Sequence, residues 1–504
     1  MVRPTHHALW YASTRAPSFR RHEGELEVDV VVVGAGITGL TTALKLKRKG
    51  LSVALLERNF VGAGTSGRTT AHLTALIDAR FRVLEQSFGP KEARLVAGAM
   101  TGAIARVEGF VHELAIACDF ERVPGYFYAE SADGAAEVEA EMQAARRAGL
   151  AIEAAAGVPL PFATTAGFVV AQQAQFQPIA YLDALAGAVD GQGSHVFEQT
   201  GVVDFEDGEP CMVHTTHGRL RARHVVLATH TPLGINALHT AVAPYRSYVM
   251  VVRTHGALCE GLFWDTASPY NYTRRYSRER ADVVIVGGKD HKTGHSQDER
   301  ESYRALDAYV SERFDVAEVL YRWSGQFYEP VDGLPFIGRS PLAEHVFVAT
   351  GFSGDGMTLG TLSAMILADT LLEQPNPYAE LFRATRVKPV AGARSFLKEN
   401  FDVARRFVWD RLSANQRQKL DKLTPGDGVV LRGGKNPIAI HRDESGELQA
   451  MSAVCPHMKC IVAWNRAENT WDCPCHGARY AQDGSILEGP PLSGLRRFDV
   501  DDSR

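Results

Sequence analysis

A glycine-rich turn between two apolar segments constrains the fold of this chain more than any other feature. The apolar run at residues 30–33 leads into GAGITG at residues 34–39, and helical spacing continues to residue 49. Gly50 ends that helix, and a second apolar run follows at residues 52–56. Continuous apolar runs are typical of buried parallel strands, so the pattern predicts a β-α-β unit.

The glycines of this turn have the spacing that a bound dinucleotide requires. Gly34 would make the tight turn, Gly36 would let backbone amides approach a pyrophosphate, and Gly39 would allow close helix–strand packing. Glu57 stands at the end of the second strand, where it would accept hydrogen bonds from an adenosine ribose, and Arg58 follows it. A purely structural turn is the alternative, but the complete β-α-β setting favours a dinucleotide site.

The segment after Glu57 indicates which dinucleotide is bound, FAD or NAD. Only one such glycine fingerprint occurs, which disfavours separate flavin and nicotinamide sites. Residues 62–72 (GAGTSGRTTAH) resemble the D-amino-acid oxidase, glycine oxidase and sarcosine oxidase family of flavoproteins, and the resemblance extends over residues 29–373. It implies bound FAD, with Thr65, Ser66, Gly67 and Arg68 along the pyrophosphate and ring. His72 is either a covalent flavin attachment point or an ordinary residue at a helix start, and the sequence favours the second.

Other segments carry the same resemblance. Val202 matches a position that touches adenine, and residues 228–232 (ATHTP) and 332–338 (DGLPFIG, ending in Gly338) match family turns. Residues 351–357 (GFSGDGM) would form a glycine loop leading into a helix, although a plain turn is the alternative. The resemblance implies that Gly351, Gly354, Gly356 and Met357 bring this helix N-terminus to the flavin O2/N1 edge, where its partial positive charge would stabilise reduced flavin.

A cluster of cysteines and histidines marks the C-terminal region. Four of the seven cysteines fall within 21 positions, together with two histidines: Cys455, His457, Cys460, Cys473, Cys475 and His476. In a chain without a secretory signal, such a cluster indicates a metal site rather than a disulfide framework. A zinc ribbon is one alternative, but zinc favours paired CxxC knuckles, which this spacing does not provide.

The cluster closely resembles the paired loops of Rieske iron–sulfur proteins. The resemblance implies a [2Fe–2S] cluster with Cys455 and Cys473 on one iron and His457 and His476 on the other. It also implies a disulfide between Cys460 and Cys475, as in the cytochrome bc-type subgroup. Residues 443–446 (DESG) predict a hairpin turn between strands at 438–440 and 448–454, and residues 489–491 (GPP) match the family's proline loop.

These motifs predict three regions of chain. Residues 1–376 are expected to form an α/β FAD-binding domain of the glutathione-reductase-like Rossmann type with an α+β substrate domain. Residues 377–424 are expected to form a helical linker, and residues 425–504 an all-β Rieske domain. Within the first region, residues 80–150 show helical periodicity, whereas short apolar segments at 202–205, 225–228, 248–252, 283–286 and 346–350 predict strands. A helix is predicted at about 359–372.

The composition excludes several functional classes. A hydrophobic content of 45% and a charged content of 22% are typical of a soluble globular protein. The formal net charge of −5 gives no basic surface for nucleic acid. No run of about 18 apolar residues predicts a membrane-spanning helix. The first 21 residues lack the apolar core of a signal peptide, so we expect a cytoplasmic protein.

The two cofactors together suggest oxidation of an amine or amino-acid-like small molecule, with electrons leaving singly through the cluster. The acceptor would be a redox partner protein or a quinone-type molecule. The alternatives are an electron-transfer module without amine chemistry, and a biosynthetic tailoring oxidase. An Arg or Lys could clamp a substrate carboxylate and a Tyr could orient the amine, although each candidate could equally be structural. The candidates are Tyr270, Arg274, Lys289 and Gln326, with Tyr272, His291 and Tyr328 beside them in sequence.

One departure from the Rieske pattern predicts a redox property. High-potential Rieske proteins have a serine where this chain has Ala478, and Tyr480 occupies the aromatic position. Rieske potentials span about −150 to +300 mV, and hydrogen bonds to cluster sulfur raise them. We therefore expect a mid-range potential that rises in the Ala478→Ser variant, as measured by a redox titration followed by EPR. An unchanged or lower potential in that variant would contradict the prediction.

Overall fold

A computed structural model describes residues 8–12, 18–155, 157–296, 298–386, 423–432 and 436–498. The α-helices within these residues are α1 (Ile37–Arg48), α2 (Phe81–Phe88), α3 (Pro90–Glu113), α4 (Ala132–Arg147), α5 (Pro178–Val189), α6 (Arg300–Arg313) and α7 (Gly356–Leu371). Short 3₁₀ turns occupy Leu9–Ala12, Thr65–Gly67 and Ala237–Thr240.

Strands make up most of the remaining regular structure. The strands that precede the C-terminal domain are β1 (Gly24–Val33), β2 (Val53–Leu56), β3 (His72–Leu73), β4 (Glu121–Ala129), β5 (Ile152–Ala155), β6 (Ala166–Gln175), β7 (His195–Phe197), β8 (Val202–Glu206), β9 (Cys211–Thr215), β10 (Gly218–Leu227), β11 (Val242–Thr254), β12 (Leu262–Asp265), β13 (Tyr272–Arg275), β14 (Val283–Lys292), β15 (Val316–Pro330), β16 (Phe336–Arg339) and β17 (Val346–Thr350). The C-terminal strands are β18 (Gly428–Leu431), β19 (Ile438–Arg442), β20 (Leu448–Ser452), β21 (Ala463–Asn465), β22 (Thr470–Asp472), β23 (Arg479–Tyr480) and β24 (Ile486–Glu488).

The first sheet contains the predicted β-α-β unit. Its strand order is β16-β17-β10-β1-β2-β7, and β9 pairs with both β10 and β8 at the side. Strand β1 lies parallel to both β2 and β10. Helix α1 packs against both α5 and α7 beside this sheet, and most residues of α1 and α7 are buried as a result. The glycine turn therefore lies at the carboxyl end of a central strand, as the sequence predicts.

The second sheet lies on the predicted substrate side, and it contains a strand within residues that were predicted to be helical. Its order is β15-β11-β14-β13-β12-β4-β6-β3, with β5 beside β6. Residues 80–150 were expected to be helical, but β4 interrupts them and pairs with both β12 and β6. The strand forms despite the helical periodicity of this segment, because β4 carries aromatic residues at 126–128, which favour strands. The predicted strands at 248–252 and 283–286 are confirmed in this sheet, as parts of β11 and β14. The predicted strands at 202–205, 225–228 and 346–350 are also present, but as parts of β8, β10 and β17 in the first sheet.

The C-terminal domain consists of strands in its described residues. A three-stranded sheet, β18-β19-β20, and a four-stranded sheet, β21-β22-β23-β24, enclose a small core around Trp471 and Tyr480. The predicted hairpin is present, because β19 pairs with β20 across the 443–446 turn. Most of the predicted linker at 377–424 lies outside the described residues.

None of the helices in the described part of the chain combines the length and apolar character needed to cross a bilayer.

Candidate redox site

A long cavity runs between the two sheets, from the glycine turn of the first to the inner face of the second. Eleven of the predicted cofactor-binding residues line it: Gly34, Gly36, Glu57, Arg58, Thr65, Ser66, Arg68, Val202, Gly354, Gly356 and Met357. These residues come from five separate segments of chain. The fold therefore brings together most of the positions that the motifs indicate.

The glycine turn forms a backbone cradle at one end of this cavity. Gly34 has a φ of +107°, and a Cβ there would lie 2.6 Å from the Ala228 carbonyl oxygen. A Cβ on Gly36 would lie 2.9 Å from Ser66 Oγ, the atom that accepts a hydrogen bond from the Ile37 amide at 3.1 Å. Side chains are thus excluded where the helix begins, which leaves room for a pyrophosphate to approach the backbone.

The Glu57 side chain holds the backbone of the glycine turn in place. Its carboxylate accepts hydrogen bonds from the Ala35 amide at 3.0 Å and from the Asn59 amide at 2.9 Å. Burial raises the pKa of Glu57 despite these two bonds. Each carboxylate oxygen has a second lone pair, so a ribose hydroxyl can still bind there as the sequence predicts. Arg58 and Val202 line the same cavity.

Four predicted cofactor-binding glycines do not line the cavity. Gly39 packs on the Gly34 carbonyl, Gly67 against the Tyr11 hydroxyl and Gly351 against Pro330, while Gly338 lies within β16. Gly39, Gly67 and Gly351 therefore contact other parts of the protein rather than the cavity. His72 does line the cavity, from strand β3 rather than from a helix start. Burial and the nearby Arg274 charge lower the pKa of His72 to about 3, which keeps the imidazole neutral.

The predicted substrate residues divide into two groups. Tyr270, Tyr272, Gln326 and Tyr328 line the cavity. Arg274 does not, because its guanidinium lies 5.3 Å from the Trp10 ring and donates to the Phe176 carbonyl at 3.3 Å. Lys289 lies over the Tyr309 ring, and the His291 ring is hydrogen-bonded to the Tyr248 hydroxyl. Neither predicted carboxylate clamp, Arg274 or Lys289, therefore reaches the cavity.

The sequence analysis missed Asp290, which lies between two of its candidates on β14. The pairing of β14 with β11 shifts register between Gly288 and His291, and Lys289 has a φ of +60°. This bulge turns Asp290 into the cavity, whereas Lys289 and His291 do not line it. No group in the described residues hydrogen-bonds to its Oδ1 atom, and burial raises the pKa of Asp290 to about 7. The neighbouring Ser247 and Tyr272 hydroxyls lie 2.7 Å apart. Regular alternation from Gly287, which pairs with Tyr272 and Val249, would place Lys289 and His291 on the cavity face, so no sequence pattern indicated Asp290.

A second opening meets the cavity at Tyr270 and Asp290. Four carboxylates and one guanidinium line this opening, namely Asp78, Glu137, Asp290, Glu329 and Arg80. The Arg80 guanidinium lies 4.5 Å from the Phe127 ring. The opening therefore presents an excess of negative charge to an entering molecule.

The cysteine and histidine motifs meet in the C-terminal domain. Cys455, His457, Cys473 and His476 are all buried, and the two imidazole rings lie 5.0 Å apart. The Tyr480 hydroxyl lies 3.0 Å from Cys455 Sγ. His476 Nδ1 is buried and forms no hydrogen bond within the described residues. Two buried thiols and two buried imidazoles on these two loops are the kinds of donor that a Rieske cluster requires.

A disulfide joins the two ligand loops, between Cys460 and Cys475 as the resemblance implies. Their sulfur atoms lie within 4.8 Å of each other and of Cys473 Sγ. Because a disulfide sulfur is not a thiolate, Cys473 alone of these three can ligate a metal. This arrangement does not fit a four-cysteine zinc site and does fit a [2Fe–2S] cluster.

The cluster loops dock on the wall of the long cavity. Gln326 Nε2 donates to the Gly477 carbonyl at 2.8 Å, and the Tyr328 hydroxyl donates to the His476 carbonyl at 3.1 Å. His457 Nε2 lies 3.1 Å from the Gly234 carbonyl oxygen. Two predicted substrate residues thus connect the cavity to a predicted iron ligand, His476, and to the residue after it.

Comparisons with known proteins agree with both sites. The family model described as FAD dependent oxidoreductase (DAO) matches residues 29–370, and the Rieske [2Fe-2S] domain model matches residues 416–499. A Bacillus subtilis protein named as a Rieske 2Fe-2S iron-sulfur protein, YhfW, is 31% identical over 497 residues, which cover 98% of this chain and 97% of that protein. The Escherichia coli gamma-glutamylputrescine oxidoreductase is 26% identical over 383 residues, covering 73% and 89%.

Solved structures share the fold of the larger part. Glycine oxidase from Geobacillus kaustophilus superposes with a TM-score of 0.60 and 20% identity, covering 72% of this chain and 99% of that one. The fold and the donor sets together define a flavoprotein oxidoreductase joined to an iron–sulfur domain. The chain belongs to the FAD-dependent oxidoreductase (DAO) family and carries a C-terminal Rieske domain, and its cofactors are FAD and a [2Fe–2S] cluster.

We predict that Cys473→Ala abolishes iron binding but leaves the flavin in place, because it removes a thiolate ligand far from the glycine cradle. Iron and acid-labile sulfide assays, EPR of the reduced protein and flavin absorbance measure these effects. Cys211→Ala is the matched control, since Cys211 is a buried free thiol in the first sheet. Full iron content in Cys473→Ala would contradict the ligand assignment.

Proposed function

We propose that this oxidoreductase oxidises a cationic amine and passes the electrons one at a time through the Rieske cluster to an external acceptor. The observation that carries the proposal is the shared wall: Gln326 and Tyr328 line the cavity and also hydrogen-bond to the loop of a predicted iron ligand. A substrate oxidised in this cavity would release its electrons beside the cluster.

The overall reaction balances with one-electron acceptors. The carbon–nitrogen single bond of the amine becomes a double bond, two electrons and two protons leave it, and two acceptors are each reduced once. FAD supplies the two-electron oxidation when bound, and the cluster carries single electrons. The protein's own residues bind the amine, accept a proton and hold the two domains together.

The charge of the second opening favours an amine over an amino acid. Four carboxylates face one guanidinium there, which attracts a cation and repels a substrate carboxylate. The expected carboxylate clamps, Arg274 and Lys289, lie outside the cavity wall. The relative named gamma-glutamylputrescine oxidoreductase supports an amine substrate, and the glutamyl group in that name shows that a carboxylate can be present in the same molecule.

Asp290 has the position and the charge to bind the amine. Its carboxylate lies where the cavity meets the second opening, beside the aromatic rings of Tyr270, Tyr272 and Trp264. Aromatic faces attract ammonium groups, and a buried carboxylate with a pKa of about 7 can accept the ammonium proton before oxidation. Asp290 is therefore the proposed cation partner and general base.

The position of the docked Rieske domain also indicates which kind of electron acceptor can be used. The Gly234 carbonyl occupies His457 Nε2, and the His239 ring lies 4.6 Å from the His457 ring. A quinone that needs a hydrogen bond from His457 would have to displace this contact. We therefore favour a redox partner protein that takes electrons from another face of the Rieske domain.

An anaerobic substrate panel tests the proposal. Diamines and other cationic amines are expected to bleach the flavin and then the iron–sulfur absorbance, whereas α-amino acids with the same amine group reduce the flavin far more slowly. Stopped-flow spectra at both absorbance bands measure the two steps. Flavin that stays oxidised with every amine, or that is reduced faster by the amino acids, would contradict the proposal.

The pH dependence of the same reaction tests Asp290. Because its carboxylate forms as the pH rises through about 7, the rate of amine-driven flavin reduction is expected to rise over that range and then level off. Asp290→Asn should lower the rate by about 100-fold and remove this pH dependence. Asp282→Asn, which changes an exposed carboxylate on the same domain, is the control. A wild-type pH profile retained in Asp290→Asn would exclude Asp290 as the base.

A further inference from the structure

The Rieske domain supplies part of the flavin cavity itself. Leu487, Glu488 and Gly489, from the end of β24 and the turn after it, line the same cavity as Gly36 and Arg68. The Gly234 amide donates to the Pro490 carbonyl at 2.8 Å, which fixes this turn against the FAD-binding part. The cavity is thus built from residues more than 400 positions apart.

Glu488 brings a negative charge to this wall. Its carboxylate lies 3.8 Å from the Arg68 guanidinium, 3.2 Å from that of Arg479 and 3.9 Å from that of Arg246. Its side chain is 12% exposed. Burial alone would raise the pKa of Glu488, but the three guanidinium groups lower it, so the group is ionised. No hydrogen-bond donor in the described residues reaches its Oε2 atom.

Two of these partners lie outside the Rieske domain. Arg68 lines the cavity, and Arg246 is fully buried on β11. Arg68 would present positive charge toward a bound flavin, and Glu488 compensates part of that charge only when the Rieske domain is docked. The domain contact therefore changes the electrostatic potential in the cavity.

We propose that Glu488 is a flavin-site residue contributed by the Rieske domain, and that its carboxylate lowers the redox potential of the bound flavin. Reduced flavin carries negative charge, so a carboxylate beside it disfavours reduction. A lower flavin potential makes electron transfer to the cluster more favourable. This inference rests on the proposed direction of electron flow, from flavin to cluster.

A nearby carboxylate provides a matched control. Glu468 pairs with the same Arg246, at 2.7 Å, and also with Arg479, and its side chain is likewise 12% exposed. It does not line the flavin cavity. Glu468→Gln therefore weakens the same domain contact without changing the charge of the cavity wall.

The test is a spectroelectrochemical titration of the full-length holoprotein. In Glu488→Gln the flavin midpoint potential is expected to shift to a higher value, while the cluster potential stays close to that of the wild type. In Glu468→Gln the flavin potential is expected to stay close to the wild-type value. Glu488→Asp, whose shorter carboxylate retreats from the cavity, should give a smaller positive shift and serves if Glu488→Gln does not retain flavin.

Two outcomes would overturn the inference. An unchanged flavin potential in Glu488→Gln would show that the carboxylate does not act on the flavin. Equal shifts in Glu488→Gln and Glu468→Gln would assign the effect to weakened docking rather than to Glu488. Since dithionite reduces the flavin in this titration, the result does not depend on the amine substrate, and failure of the proposed function leaves the test valid.

Discussion

The hydrogen bonds from Gln326 and Tyr328 to the backbone of the cluster loop are the contact on which the rest of the arrangement depends. Both donors are buried, and a buried donor without a partner costs about 1 to 3 kcal/mol. The carbonyls of His476 and Gly477 satisfy them, so the docked position of the Rieske domain is also the position in which this polar wall is complete. The completed cavity wall and the covered ligand histidines both follow from that position.

A buried ionic network determines the orientation of the docked domain. Arg246 contributes positive charge from one side, and Arg479 and Glu468 meet it from the other. In other proteins, removal of one member of a buried ion pair costs about 3 to 5 kcal/mol, because the remaining charge is left without a partner. If the Rieske domain docked in another position, Arg246 would be left without its partner Glu468. The network therefore contributes orientation as well as affinity.

The sequence predicted those parts of the molecule that local patterns determine. The glycine turn, most strands and the Cys460–Cys475 disulfide are confirmed, because each depends on a short motif or a family resemblance. Strand β4 was missed because its pairing partners, β6 and β12, are distant in sequence. Arg274 and Lys289 were plausible carboxylate clamps because of their positive charge, but neither side chain lines the cavity. Asp290, which was not predicted, does line it. Contacts between the domains have no local pattern, so Glu488 could not be predicted.

The sharing of one cavity by both ends of the chain has a consequence for biogenesis. Synthesis proceeds from the N-terminus, and domains generally fold in that order. The glycine cradle can therefore form while the side that Leu487 and Glu488 later cover is still open. Cofactor entry is easiest during that interval, and arrival of the last domain then retains the nucleotide as a lid would. In that order of folding, docking of the Rieske domain would complete the flavin site after the glycine cradle has formed.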